Sequence, residues 1–255
     1  MRVIKLEGRA QNDPRLPGLI GARRDRDGGR LCVVHGGGDE ISALQTALGR
    51  KPKFIDGRRV TTVDDLQLLR MVLSGVINKR LVNAFVRAGV QSLGLSGEDG
   101  KLISAGRGAD VSLGSVGIPA SVNAELLETL ISAGYMPVIS PVGYDPENAE
   151  TGALNVNGDD AAAAIAAALG ADELLFVADV EGVMSQDGSL IKAIDSPDIG
   201  RLVVDGTARG GMPAKLDAAR TALNSGVEHV RISDLEGIMD ESRGTTVNSS
   251  SGVAG

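Results

Sequence analysis

The chain of 255 residues is poor in aromatic side chains: it contains no tryptophan, and phenylalanine and tyrosine together make up 2%. Its core must therefore be built from valine, isoleucine, leucine and alanine, a composition that suits parallel strands buried on both faces. There is one cysteine, Cys32, so an internal disulfide is excluded. Because Cys32 lies within an apolar run, we expect a small buried side chain rather than a reactive thiol.

Other absences exclude or disfavour whole classes of protein. No apolar run reaches the roughly 18 residues that a membrane-spanning helix needs. The net charge of −7 argues against a nucleic-acid or anionic membrane surface. The N-terminus shows no signal-peptide pattern, and we expect a cytoplasmic protein. The length and a hydrophobic content of 42% predict one large α/β domain or two lobes.

Short apolar runs alternate with helical patterns along most of the chain. This alternation predicts an α/β fold with an open, mostly parallel sheet sandwiched by helices. Asn123 and Asp159 are the predicted N-caps of two helices, and Gly75 is expected to interrupt or kink a third. The predicted strands are Val3–Leu6, Leu31–Val34, Ser92–Leu95, Pro137–Ser140, Leu174–Val177 and His229–Ile232. The predicted helices are Asp39–Leu48, Val63–Ala88, Asn123–Ala133, Asp159–Leu169 and Met212–Asn224.

Two segments depart from this alternation. Residues 53–60 resemble a β-hairpin whose turn is Asp56-Gly57, a dipeptide typical of tight hairpin turns. Residues 98–122 contain many glycines and short alternating runs, which predict an antiparallel flap or hairpin.

A glycine turn, Gly36-Gly37-Gly38, follows the second predicted strand and precedes a helix. A strand, a glycine turn and a helix N-terminus together present backbone N–H groups to an anion. The turn is not a dinucleotide fingerprint, because Ile41 stands where the last glycine is required. The sequence also contains no Walker P-loop and no His-Arg-Asp triplet of the protein kinases.

Six motifs in one order resemble those of the amino acid kinase family, and they span essentially the whole chain. They are Lys5-Leu6-Glu7-Gly8, Val34-His35-Gly36-Gly37-Gly38, Asp56-Gly57-Arg58-Arg59-Val60-Thr61, Leu154-Asn155-Val156-Asn157-Gly158-Asp159, Ala178-Asp179-Val180-Glu181-Gly182-Val183 and Gly210-Gly211-Met212-Pro213-Ala214-Lys215. The resemblance implies a carbamate kinase-like fold of two lobes. Residues 1–170 are the expected acceptor-binding and dimerisation lobe, and residues 171–255 the expected ATP-binding lobe.

The resemblance also implies a reaction: ATP with Mg²⁺ phosphorylates the side-chain carboxylate of N-acetyl-L-glutamate, giving N-acetylglutamyl 5-phosphate in arginine biosynthesis. Carboxylic acids of this kind titrate near pH 4, so the nucleophile is already ionised and needs no general base. Mg²⁺ favours phosphate oxygens and water, and we assign it no protein ligand. Catalysis then depends on positioning and on neutralising charge.

Four residues carry the implied chemistry. Lys5 bridges the transferring phosphoryl group, and Lys215 stabilises the leaving β–γ oxygen. Asp159 holds both ammonium groups, while Gly8 donates its N–H to a phosphoryl oxygen. Plainer alternatives exist: Lys5 as a lysine on the solvent face of an edge strand, and Asp159 as a helix cap alone. A lysine near the N-terminus of a helix is electrostatically disfavoured, which indicates an anionic partner for Lys215.

The acceptor and nucleotide sites are also implied residue by residue. Gly37 and Gly38 border the acceptor, and Gly37 also donates to the phosphoryl group. Arg59 pairs with the α-carboxylate of the acceptor. Asn155 contacts its acetamido and α-carboxylate groups, with Asn157 nearby. The implied nucleotide-binding residues are Asp179, Val180, Glu181, Gly182, Val183, Met184, Thr207, Ala208 and Arg209.

Three features depart from the family pattern or qualify it. Glu7 stands where the family usually has glycine, and its carboxylate would repel phosphates unless it points away or pairs with a cation such as Arg9. Asp39 stands where proline often follows the three glycines. Arg58, next to the acceptor-binding arginine, is expected to be solvated.

Other functions stay open at this point. The acceptor could instead be carrier-linked aminoadipate, N-succinylglutamate or N-acetylaminoadipate, or the chain could be a non-catalytic ligand sensor of the same fold. We further expect a homodimer formed through the helix Val63–Ala88 and insensitive to arginine, because the first strand begins at Val3 with no helix ahead of it.

Overall fold

The computed structural model describes residues 1–55, 57–108, 110–148 and 152–249. The strands are β1 (Arg2–Leu6), β2 (Leu31–His35), β3 (Phe54–Ile55), β4 (Arg58–Arg59), β5 (Ser92–Gly97), β6 (Ile103–Arg107), β7 (Val116–Val122), β8 (Met136–Tyr144), β9 (Ala153–Val156), β10 (Glu173–Val177), β11 (Ala193–Asp195), β12 (His229–Ser233) and β13 (Thr245–Asn248). The α-helices are α1 (Leu16–Arg26), α2 (Gly38–Ala47), α3 (Val63–Leu69), α4 (Asn78–Arg87), α5 (Ala124–Ser132), α6 (Gly158–Ala168), α7 (Ile199–Val204) and α8 (Met212–Asn224).

The predicted strands and helices are confirmed, with small shifts at their ends. The long predicted helix begins with α3 and ends with α4, and the residues between them, Arg70–Ile77, form a π-helix that contains Gly75. The hairpin over residues 53–60 forms as the antiparallel pair β3–β4, although Asp56 of its turn lies outside the described residues. The flap over residues 98–122 forms as the antiparallel pair β6–β7.

One large sheet organises the chain, and most of its pairings are parallel. Across its centre the strands follow the order β12-β10-β1-β2-β8-β5, and all of these neighbours are parallel. Strand β1 therefore lies between β2, which follows it directly, and β10, which follows much later. In open α/β sheets, ligands bind at such a switch in strand order, outside the carboxyl ends of the strands.

Both faces of the sheet are covered, as alternation along β1 shows. Val3 packs in a core with helices α5, α6 and α8, whereas Ile4 and Leu6 pack in a second core with α1, α3 and α4. The predicted helix–sheet–helix sandwich is thus confirmed. Cys32 is buried in the first core, and burial raises the pKa of its thiol, as expected for a structural cysteine. None of the helices described here is long and apolar enough to cross a membrane.

Candidate active site

Two lysines from distant parts of the chain converge on one aspartate at the carboxyl end of β1. The Nζ atom of Lys5 lies 2.7 Å from Oδ1 of Asp159, and Nζ of Lys215 lies 3.3 Å from both carboxylate oxygens of Asp159. All three side chains are buried, with 5% or less of each residue exposed. The structure therefore brings together three of the four residues expected to carry the chemistry.

Local structure explains this convergence. Alternation along β1 turns Lys5 to the same face as Val3, the face that α6 and α8 cover. Asp159 lies in the first turn of α6, and Lys215 lies one turn into α8. Asp159 was expected to be the N-cap of α6, but this was wrong: Asn157 is the cap, and its Oδ1 accepts a hydrogen bond from the Asp159 N–H at 2.7 Å. The Asp159 carboxylate is therefore free to face the lysines.

The opposite charges of this cluster stabilise the ionised forms of its side chains. Burial alone would lower the pKa of Lys5, but the carboxylates of Asp159 and Glu7 outweigh it and raise that pKa. Burial would likewise raise the pKa of Asp159, but Lys5 and Lys215 hold it below its ordinary value. The Lys215 ammonium also lies 5.0 Å from the centre of the Phe176 ring. Lys5 and Asp159 are therefore both charged at neutral pH.

Glu7 is the fourth charged member of the cluster. Its Oε1 atom lies 2.5 Å from the ammonium nitrogens of both Lys5 and Lys215. Glu7 thus pairs with cations, one of the two alternatives expected, but its partners are the two lysines of the site and not Arg9. Its side chain is 29% exposed, far more than that of Asp159.

Two glycines near the lysine pair lie so close to neighbouring side chains that a Cβ atom would not fit. Gly8 has φ +36°, and a Cβ atom there would lie 2.9 Å from a carboxylate oxygen of Asp179. A Cβ atom on Gly37 would lie 2.3 Å from Cδ1 of Ile77. Gly37 lines both clefts beside the lysines, and Gly8 lines one of them.

An open cleft of about 240 Å³ lies on one side of the lysine pair. All of the residues expected to bind the acceptor line it: Gly37, Gly38, Arg59, Asn155 and Asn157. Lys5, Glu7 and Asp159 line its floor and edge. The expected acceptor residues therefore share one cavity with Lys5 and Asp159.

Arg59 is held firmly at the wall of this cleft. Its guanidinium donates to Oε1 of Gln45 at 2.6 Å and to the Gly38 carbonyl and Oγ of Ser42 at 2.8 Å each. It also lies 4.7 Å from the centre of the Phe54 ring. These contacts join the hairpin β3–β4 to the start of α2 and fix the direction of the guanidinium.

Arg58 was expected to be solvated; its side chain is 33% exposed, and it also forms an ion pair. Its guanidinium lies 3.1 Å from a carboxylate oxygen of Asp160, which links the hairpin to α6 across the mouth of the cleft. Burial raises the pKa of Asp160, although Arg58 opposes this effect. Asp160 had not been singled out from the sequence. The available signal was a second acidic residue directly after Asp159, together with a second arginine beside Arg59.

A second cleft, of about 280 Å³, adjoins the first across Glu7. Gly8, Arg9 and Asp179 line it, and the Arg9 N–H donates to Asp179 at 3.1 Å. The other residues expected to bind the nucleotide lie outside both clefts. Among them, Val183 and Ala208 are buried in the core, and the Val183 N–H donates to Oγ1 of Thr245 at 2.8 Å.

His35 is the one histidine near the site. Burial lowers the pKa of its imidazole to about 4. Its Nδ1 lies 3.0 Å from the Gly36 carbonyl, and its Nε2 lies 3.2 Å from Nδ2 of Asn78. His35 is therefore neutral at pH 7, with both ring nitrogens engaged, and it supports the turn structurally.

Comparison with known proteins shows the family to which this site belongs. The sequence profile of the amino acid kinase family matches residues 2–234. The chain belongs to the amino acid kinase family. It is 43% identical over 224 residues to an acetylglutamate kinase of Methanopyrus kandleri, covering 84% of this chain and 89% of that one. It is also 40% identical over 232 residues to an acetylglutamate kinase of Geobacillus stearothermophilus, covering 90% and 88% of the two chains.

Two solved structures share the fold. The protein smu.665 of Streptococcus mutans superposes with a TM-score of 0.86 at 28% sequence identity, over 97% of this chain and 98% of that one. Carbamate kinase from Giardia lamblia superposes with a TM-score of 0.67 at 16% identity, over 97% and 98% of the two chains. The expected carbamate kinase-like fold is confirmed.

Proposed function

We propose that this member of the amino acid kinase family is an ATP-dependent kinase that phosphorylates the side-chain carboxylate of N-acetyl-L-glutamate in arginine biosynthesis. The observation that carries the proposal is the pair of buried lysines on Asp159, between a cleft with a fixed arginine and a cleft with open glycine turns. The acetylglutamate kinases to which the chain is similar support this choice of acceptor.

The reaction joins two anions, and the site is built to neutralise them. A carboxylate oxygen of the acceptor attacks the γ-phosphorus of ATP, and the bond from that phosphorus to the β–γ bridging oxygen breaks, leaving ADP. Lys5 faces the transferring group and Lys215 the leaving oxygen, while Asp159 keeps the ammonium groups in place. Because a preorganised charge is worth most where water is excluded, burial of the lysines favours the transition state.

The acceptor is held on the other side of the lysines. Arg59 lines the acceptor cleft, and its contacts with Gln45, Gly38 and Ser42 hold the guanidinium there, so that its positive charge pairs with the acceptor α-carboxylate. Asn155, which donates to Oγ1 of Thr61 at 2.9 Å, keeps its amide oxygen for the acetamido N–H. The acceptor side chain then points toward Lys5.

The phosphates of the nucleotide lie at the second cleft, near Gly8 and Gly37, and the rest of the nucleotide extends beyond it toward residues 180–184 and 207–209. The described residues include no group of three or more His, Cys, Asp or Glu side chains arranged to hold a metal. Mg²⁺ would be carried by the nucleotide phosphates and water, and it would neutralise charge on the nucleotide. The two-lobe division near residue 170, the homodimer and the cytoplasmic location stay predictions.

A panel of acceptors tests the proposal. Purified protein with Mg²⁺ and ATP is assayed for ADP release with N-acetyl-L-glutamate, N-succinylglutamate, N-acetylaminoadipate and a carrier-linked aminoadipate. We expect the highest kcat/KM with N-acetyl-L-glutamate. A higher value with another acceptor would overturn the choice of substrate, and binding of ligands without any turnover would indicate a sensor.

A further inference from the structure

The Glu7 side chain lies between the two clefts and lines both of them. One of its oxygens, Oε1, contacts the ammonium groups of Lys5 and Lys215 together, at 2.5 Å each. A phosphoryl group that bridges the two lysines must use the same donors. A carboxylate of the protein therefore stands at the place where the proposed reaction needs a phosphoryl oxygen.

The two acidic partners of the lysines differ in how firmly they are held. Asp159 is buried within the first turn of α6, below the lysines, and its backbone N–H is tied to Asn157. Glu7 follows the last residue of β1, and its side chain is 29% exposed. Of the two carboxylates, that of Glu7 is the more exposed, at 29% against 7% of the side chain.

The net charge of the cluster depends on whether Glu7 stays beside the lysines. Two ammonium groups and two carboxylates make the cluster neutral, so an arriving phosphoryl group finds no excess positive charge while Glu7 stays in place. Burial would raise the pKa of Glu7, but Lys5 and Lys215 outweigh it and lower that pKa, so the carboxylate is ionised at neutral pH. Once Glu7 leaves, the cluster carries one net positive charge.

We propose that Glu7 is a displaceable internal anion, which occupies the phosphoryl position between Lys5 and Lys215 and must leave before the terminal phosphate of a nucleoside triphosphate can bind there. This inference rests on the proposed function for the identity of the ligand. It assigns Glu7 the role of setting the affinity for ATP relative to ADP, because only ATP carries the group that competes for the lysines.

A simpler role would be that Glu7 only holds the lysines in position for the nucleotide. The two roles predict opposite effects when the charge is removed. If Glu7 competes with the phosphate, a neutral side chain strengthens binding of the triphosphate. If Glu7 only positions the lysines, a neutral side chain loosens them and weakens binding of the triphosphate.

The test measures nucleotide binding by titration calorimetry, with Mg²⁺ present and no acceptor. The probes are a non-hydrolysable ATP analogue with an imido bridge between the β- and γ-phosphates, and ADP. In Glu7→Gln we expect the analogue to bind about tenfold more tightly, equivalent to about 1.4 kcal/mol, while ADP binding changes little. Glu7→Gly should show the same change in the ratio of the two affinities. Glu125→Gln, on the exposed first turn of α5, is the matched control and should leave the ratio unchanged.

Several outcomes would overturn the proposal: an unchanged ratio in both Glu7 variants, weaker binding of the analogue in both, an equal gain for ADP, or no nucleotide binding at all. A parallel turnover assay with N-acetyl-L-glutamate separates this inference from the proposed function. Turnover with an unchanged ratio contradicts the role of Glu7 alone. An altered ratio without turnover contradicts the proposed reaction and leaves the displaceable anion supported.

Discussion

The ammonium of Lys215 lies 3.3 Å from both carboxylate oxygens of Asp159, although 56 residues separate the two in the sequence. The contact joins the first turn of α6 to the first turns of α8, next to the end of β1. Each lysine can be buried with its charge because the Asp159 carboxylate pairs with its ammonium group. Asp159 thus holds the side chains of both lysines in position.

Lys215→Ala should lower kcat by about 100-fold or more, the scale of losing one transition-state charge contact. Lys5→Ala should have an effect of similar size. Steady-state assays with saturating N-acetyl-L-glutamate measure both, and circular dichroism checks that the fold persists. The matched control is Lys192→Ala, at an exposed lysine outside the site. Near-normal kcat in either folded variant would reduce that lysine to a structural role.

Arg59→Ala should weaken acceptor binding by about 2 kcal/mol or more, roughly 30-fold in affinity, because the acceptor carboxylate loses a buried partner. The KM for ATP should change little. Arg87→Ala, an exposed arginine on α4, is the control. An unchanged KM for N-acetyl-L-glutamate in Arg59→Ala would remove Arg59 from the acceptor site.

Gly37→Ala and Gly18→Ala should change stability in opposite directions. At Gly37 the new Cβ atom would lie 2.3 Å from Ile77 Cδ1, so the core must shift, and we expect a loss of about 1–3 kcal/mol. At Gly18 the Cβ atom would meet nothing within 4 Å, and α1 should gain about 0.5–1 kcal/mol. Urea unfolding of the two variants measures both. Equal effects would contradict the close approach at Gly37.

His35 should make stability depend on pH below neutrality. In the unfolded chain the imidazole binds a proton below about pH 6.5, whereas the folded imidazole stays neutral until about pH 4. Stability contributed by neutral His35 is therefore present above pH 6.5 and lost as the pH falls, by about 3 kcal/mol at pH 4. Urea titrations at several pH values should show that His35→Gln lacks this share of the slope. His229→Gln, at an exposed histidine, should keep it.

The sequence was most informative about buried regular structure. The central strands were predictable because residues such as Leu31 and Leu174 begin continuous apolar runs, buried on both faces. Helix α1 was missed because Pro17 and Gly18 at its start are also typical of a turn, although proline suits the first turn of a helix. Strand β13 was missed because its threonines resemble a polar tail, yet Thr245 and Val247 are buried.

For the site, the sequence identified residues more readily than their partners. Resemblance gave Lys5 and Lys215 as candidates, and the alternation of β1 places Lys5 on the correct face. The contact of Glu7 with Lys215 could not be predicted in this way, because Lys215 lies 208 residues further along the chain. The pairing of Arg58 with Asp160 was missed for the same reason: such contacts depend on how separate elements pack.

In the proposed reaction the acceptor carboxylate itself attacks the γ-phosphorus beside Lys5 and Lys215. The most direct measurement uses N-acetyl-L-glutamate with both side-chain carboxylate oxygens labelled with ¹⁸O. The product is trapped with hydroxylamine, which attacks the carbonyl carbon and releases phosphate for mass spectrometry. The account predicts phosphate carrying one ¹⁸O atom, in an amount equal to the ADP formed. Unlabelled phosphate alone would show that water, not the carboxylate, receives the phosphoryl group, and would contradict it.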